Sequence, residues 1–228
     1  GSINSTATSA NTTSGFSMVV YEGNSTSGAT VGHGLGAVPH FIINKNIDND
    51  SQNWQTYHVK VGNDITTELD TTNASSGSSA WNSTTPTSTL FTLGNGVSTN
   101  GGTMIAYCFA EKTGYSKFGS YVGNGNADGT FVYTGFKPAF ILTKDTSATS
   151  EWHIYDNKRD TNNPNSAVLS PNGNYAESTN SNGDTDFLSN GFKLRNSNSN
   201  RNSSGNTYLY MAFGNTIVGT NNVPCTAR

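Results

Sequence analysis

Gly34 to Lys45 reads GLGAVPHFIINK, and Tyr133 to Lys144 reads YTGFKPAFILTK. Each stretch holds a glycine three residues before a proline (Gly36 and Pro39; Gly135 and Pro138) and then an apolar run of strand length. The pattern predicts a tight turn at the glycine. It also predicts a strand whose proline sits at the entrance, where no ladder donor is needed. The same order of blocks surrounds both stretches. GFSMVVYEGN (Gly15 to Asn24) returns as GYSKFGSYVGN (Gly114 to Asn124), and WQTYH (Trp54 to His58) as WHIYD (Trp152 to Asp156). LFTL (Leu90 to Leu93) returns as GFKL (Gly191 to Leu194), and TMIAYCFA (Thr103 to Ala110) as TYLYMAFG (Thr207 to Gly214). Five blocks in one order at a near-constant offset read as a duplicated structural unit. What is duplicated is scaffold, so chemistry in one copy alone must argue for itself.

Of the 228 residues, 12% are charged and 32% hydrophobic, a balance tilted toward Asn, Ser, Thr and Gly. Disorder is the wrong reading, because aromatics make up 11% and the net charge is only −3. The aromatic and β-branched residues fall in short runs separated by turn sequences such as NGNADG (Asn124 to Gly129) and SNGD (Ser181 to Asp184). No run of helical length shows a convincing 3.6-residue period. The fold class is therefore all-β: two tandem antiparallel β-sandwich units of the jelly-roll or lectin-like kind, with one larger jelly roll shared by both copies as the alternative. The boundaries expected are a polar linker or expression remnant at 1–14, repeat one at 15–111, repeat two at 112–214 and a tail at 215–228. Phe41, Ile43, Ile105, Tyr107, Phe109, Phe140, Leu142, Leu209, Met211 and Phe213 are the expected core.

Charge excludes some functions. Up to Glu111 there are two basic and seven acidic residues, and from Lys112 onward ten basic and eight acidic. Neither half carries the basic stripe that phosphate neutralisation demands, so no nucleic-acid partner is expected. No stretch reaches the length of an apolar membrane span, so no membrane insertion is expected. Cys108, inside MIAYCFA, reads as a small buried hydrophobe; Cys225 lies in the last four residues, and a disulfide between them is the less favoured reading.

The blocks GFSMVVYEGN, VGHGLGAVPHFIINK, AYCFAEKTGYSKFGSYVGNGNADGTFVYTGFKPAF and LSNGFKLR…TYLYMAFG together resemble a family of uncharacterised repeat domains in virion proteins of tailed bacteriophages, many of them marine. The resemblance runs from Gly15 to about Gly214. It implies a virion surface or tail-associated protein and brings no catalytic residues. Localisation on the exterior of tail or capsid is what it leads one to expect. The expected partners are a host-surface glycan or receptor, other virion proteins and further copies of the chain, a trimer among the options.

Candidate chemistry is sparse. TELDTTN (Thr67 to Asn73) resembles the Glu-x-Asp-x-x-Glu strand of laminarinase-like glycoside hydrolases, with Glu68 and Asp70 on one face. Asn73 stands where the third acid belongs, so a retaining pair is incomplete and no catalytic residue is assigned. The four histidines (His33, His40, His58 and His153) have no zinc spacing. No cofactor and no metal ligand is assigned, with calcium at the loop residues Asp48, Asp50, Asp128, Asp184 and Asp186 left as the minor option. The ligand-binding candidates are aromatic: Trp54 with Tyr57, Trp152 with Tyr155, and the unduplicated, loop-borne Trp81, with Asp156 as a hydroxyl partner. On a strand the i, i+3 pairs face opposite ways, so at most one ring of each pair lines the core. The expected function is a non-enzymatic receptor-binding module of a tail fibre. A structural virion protein without ligand is the alternative, and a polysaccharide depolymerase the second alternative.

Overall fold

The computed structural model describes residues 1–179 and 181–215. Among them the chain is nearly all β, with every named sheet antiparallel, and it divides into two compact units. The first comprises residues 1–71 and 75–111, the second 72–74 and the chain from Lys112 onward. Strands form where alternating β-branched and aromatic residues suit a pleated, half-buried surface. Glycines with positive φ close the turns between them, Gly36 at 67° and Gly135 at 86° among these, as the glycine–proline pattern requires.

Unit 1 holds β1 (Ser5–Asn11), β2 (Phe16–Asn24), β3 (Ala29–Gly32), β4 (Phe41–Asn46), β5 (Gln55–His58), β6 (Gly62–Glu68), β7 (Ser76–Gly77), β8 (Leu90–Leu93), the short α1 (Val97–Asn100) and β9 (Gly101–Phe109). Its large sheet runs β1-β2-β9-β4-β5-β6-β7, and β3 pairs with β8 in a small second sheet. Val31, Phe91 and Leu93 of the small sheet join Val19, Tyr21, Ile42, Tyr57, Met104, Ala106 and Cys108 in one core.

Unit 2 holds β10 (Ser116–Val122), β11 (Phe131–Tyr133), β12 (Pro138–Asp145), β13 (Trp152–Asp156), β14 (Ala167–Val168), β15 (Ser178–Thr179), β16 (Thr185–Leu188), β17 (Gly191–Leu194), the short α2 (Ser199–Asn202) and β18 (Thr207–Gly214). Its sheets are β10-β18-β12-β13, β11-β17-β16 and β14-β15. Tyr121, Ile141, Tyr155, Tyr208, Tyr210 and Ala212 meet Val132, Phe187, Phe192 and Leu194 in a core of its own. The order β10-β18-β12-β13 matches β2-β9-β4-β5, and β11-β17 matches β3-β8. Each sequence block thus occupies the corresponding strand in its unit.

The same buried side chains lock the end of each unit. In unit 1 the Tyr21 hydroxyl donates to Thr99 O at 2.7 Å, and the Asn100 amide donates to Thr26 O and Gly94 O while accepting from Asn24 N. In unit 2 the Tyr121 hydroxyl donates to Arg201 O, and Asn202 accepts from Asn124 N and donates to Asn126 O and Asn196 O. A buried backbone carbonyl without a donor is costly, and each asparagine satisfies several at once.

Two expectations need correction. Residues 1–14 are no linker: β1 pairs with β2, Ile3 is buried, and Ile3 bridges Val31 in parallel. A ladder strand needs backbone partners and not apolar side chains, so a polar run can be a strand with all seven residues exposed. The core is also turned over. Of the ten expected core residues Phe41, Leu142, Leu209 and Met211 are buried, while Ile43, Ile105, Tyr107, Phe109, Phe140 and Phe213 are half-buried. The sandwich interiors are lined instead by the neighbours that alternate with them, such as Ile42, Ala106, Cys108, Ile141, Tyr210 and Ala212. Both faces of these strands are apolar, so alternation gives no unique inside. Lastly, Cys225 and the expected tail beyond Asn215 lie outside the described residues; Cys108 is fully buried, which pushes its thiol up to about 12.

Ile42→Ala is expected to destabilise the protein by about 2–5 kcal/mol in urea unfolding, with Ile43→Ala costing clearly less. Equal losses would mean that the faces are assigned wrongly. Asn202→Ala strands three backbone partners, so a loss of about 2–4 kcal/mol is expected; a variant as stable as the parent would show that the amide does not lock α2.

Candidate functional site

The aromatic candidates are placed unequally. Tyr57 and Tyr155 point inward and are core residues, the one member of each i, i+3 pair that alternation allows there. Trp152 is on the opposite face from Tyr155 and is also buried, at 2% exposure. Trp54 is half-buried and stacks on Tyr107, with centroids 6.4 Å apart and planes 16° from parallel. Trp81 does not project into solvent. It is 0% exposed, packs edge-on against Tyr57 and belongs to the unit 1 core. Its neighbours explain this: Gly94 N donates to Ala80 O and Thr84 N to Trp81 O, folding the loop over the sandwich so that the indole plugs its interior. Burial leaves no ring face at Tyr57, Trp81, Trp152 or Tyr155 for a sugar.

Glu68 and Asp70 are not a matched pair. Glu68 ends β6 and accepts from Gln55 Nε2 and the Thr71 hydroxyl, whereas Asp70 lies in the following turn and accepts from Trp54 N at 3.0 Å. In unit 2 Asn172 accepts from Trp152 N at the same 3.0 Å. An amide does there what the carboxylate does in unit 1, so the role of Asp70 is to hold a tryptophan backbone. Three of the five calcium candidates are engaged too. Asp48 accepts from Thr103 N, Asp128 pairs with Lys193 at 2.6 Å, and Asp186 pairs with Arg195 at 2.8 Å. Among the described residues no group of three His, Cys, Asp or Glu side chains is placed to hold a metal ion.

Of the candidates, Asp156 leads to a cavity. It ends β13 and accepts from Lys158 N, Arg159 N and the Arg159 guanidinium, which also pairs with Glu177. Burial raises its carboxyl pKa, but the Arg159 and Lys158 donors outweigh burial and hold it below the usual carboxylate range. Residues 157–166 then form a loop with no counterpart in unit 1, where residues 59–61 suffice to join β5 to β6. The loop wraps a cleft of about 240 Å³ lined by its own residues Asn157, Asp160, Thr161, Asn162, Asn163 and Asn165 together with Lys137 and Phe187.

The cleft is built from hydrogen-bonding groups held by the loop itself. Asp160 accepts from Ser166 N at 2.8 Å, a bond that leads the causes keeping its carboxyl below the usual range. Asn163 clamps Phe187 by accepting from its N–H and donating to its carbonyl. Asn165, 1% exposed, donates to Asp156 O and Asp160 O, which fixes the direction of its amide. Its Oδ1, and that of Asn157, are buried with no donor among the described groups. Only Asp156 among these residues was singled out by sequence; the signal available for the rest was the long Asn-rich insertion NKRDTNNPN after the second WHIYD block.

A single family model matches residues 1–216, described as a domain of unknown function (DUF7483). The chain belongs to this family. The match spans both units and takes in β1, so the family's domain is the two-unit chain and not one sandwich. No curated protein matches the chain, and no solved structure does.

Because the folded-state pKa of Asp160 is lowered, its contribution to loop order is present above the ordinary carboxylate pKa. That contribution is lost as pH falls through the folded-state value. The protection factor of the Ser166 amide, corrected for the intrinsic pH dependence of exchange, is expected to be high at pH 7 and to fall on acidification, and Asp160→Asn should flatten that dependence. An unchanged acid profile in the variant would show that this carboxylate does not hold the loop.

Proposed function

We propose that this chain is a non-enzymatic recognition module of a phage virion surface, of the tail-fibre or receptor-binding kind, that binds a host-surface glycan. The cleft of residues 157–166 carries this reading. It is a concave, polar site with one apolar floor residue, Phe187, and it lies in an insertion that unit 1 lacks. Glycans bind through many hydroxyls to planar polar side chains with modest apolar contact, and Asn, Asp and Lys supply that set. The chemistry supports binding and not bond cleavage, since Glu68 and Asp70 are committed to holding backbone and side chains.

The structural alternative, a capsid decoration or head-fibre protein without ligand, is separated from this one by location and by binding. With the intact protein, a glycan array is expected to show a narrow set of hits. Lys137→Ala, at the exposed rim, should weaken them by about 10- to 100-fold, the worth of one charged hydrogen bond. Immunogold labelling of virions is expected at the tail. Absence of glycan and host-cell binding by folded protein, with label over the head, would overturn the proposal.

A further inference from the structure

We infer that the outer face of the β11-β17-β16 sheet is a second contact, a stacking platform for a neutral glycan of two or more pyranose units centred on Phe131 and Tyr133; this rests on the glycan reading above and locates a separate part of it.

Among the described residues only three aromatic side chains are exposed: Phe131 at 44%, Tyr133 at 63% and Tyr175 at 54%. Two of the three are on one strand, two residues apart, with buried Val132 between them facing the core. Alternation puts both rings on the same outer face, about 7 Å apart along the strand. Burying aromatics is favourable by a few kcal/mol each, so two rings left adjacent in solvent on so polar a chain call for a reason.

The surroundings of the rings are shaped to keep them open. Tyr133 faces Gly191 across the ladder, and Phe131 faces Lys193. A Cβ on Gly191 would come within 2.1 Å of Val132 O and 3.1 Å of Phe131 Cε2, so position 191 has no room for a side chain beside the Phe131 ring. A Cβ on Gly135 would lie 3.6 Å from the Tyr133 hydroxyl oxygen, so this ring too rests over a glycine. Beside the rings Lys193 pairs with Asp128, and Arg195 pairs with Asp186 at 2.8 Å and with Asp128 at 3.6 Å. Two cations against two carboxylates leave the patch with no net charge, which suits a neutral sugar chain and disfavours a polyanion. The same groups present donors and acceptors to hydroxyls while the rings take the apolar C–H faces.

Unit 1 shows what the same position looks like when it is put to structural use. Thr30 and Gly32 flank buried Val31 on β3, so there are no rings. Residues 2 and 3 close over the strand: Ser2 N donates to the Thr30 hydroxyl, and Ile3 bridges Val31. In unit 2 no strand among the described residues pairs with the outer edge of β11. The scaffold is shared; the rings are not.

The test uses the whole chain. Array hits are expected among neutral pyranose glycans, with affinity by titration calorimetry rising from mono- to disaccharide and beyond. Phe131→Ala and Tyr133→Ala should each weaken binding by about fivefold or more, while Tyr133→Phe keeps most of it, because stacking needs the ring and not the hydroxyl. Both sites are on the surface, and unchanged melting temperatures would confirm intact folding. Glycan binding that persists at full strength in the folded Phe131→Ala/Tyr133→Ala double variant, yet falls in Lys137→Ala, would sink the platform and leave the cleft standing. A chain that binds no glycan at all would sink both. If the double variant instead dissolves a dimer or trimer seen by analytical ultracentrifugation, the rings are a contact between copies and the platform is overturned.

Discussion

Everything in this molecule depends on satisfying backbone that has too little apolar side chain to hide behind. With 32% hydrophobic residues there is little apolar side chain to bury, and long loops must be held by hydrogen bonds. Asn100 and Asn202 do this at equivalent places, each tying two loops and the short helix ahead of the last strand to one buried amide. Tyr21 and Tyr121 anchor the same turns from the sheet side. The richness in Asn, Ser and Thr is thus part of how the fold is held, with side chains standing in for the backbone partners that regular structure would supply.

That construction explains what could be read beforehand. The strands announced themselves through apolar runs between turn residues, and Gly36 and Gly135 marked turns that only a residue tolerant of positive φ enters easily. The inward face did not, because strands such as FIINK and FILTK carry apolar residues on both sides, and Asn44, a polar residue, is one of those pointing in. β1 escaped because its stabilisation is all ladder and no burial. Trp81 misled because a loop was equated with a surface, whereas this loop folds back and delivers its indole to the interior.

The same contrast organises the candidate sites. Where the two units agree, the shared residues pin loops and line cores, and even the carboxylate of Asp70 is replaced by the amide of Asn172 without change of role. Where they differ, in residues 157–166 and on the outer face of β11, unit 2 presents a polar cleft and two exposed rings. Asp156 was legible because it sits inside a repeated block; Asn157, Asp160 and Asn165 were not, because hydrogen bonds between residues of one irregular loop have no periodicity to betray them.

The ion pairs of unit 2 have one more consequence. Arg159 is shared between Asp156 and Glu177, and Lys193 and Arg195 are matched by Asp128 and Asp186. Fields from such pairs cancel within a few ångströms, leaving little for a Debye atmosphere to screen. Around these pairs the surface of unit 2 therefore exerts little long-range pull on what approaches it, in contrast to unit 1 with its two basic and seven acidic residues.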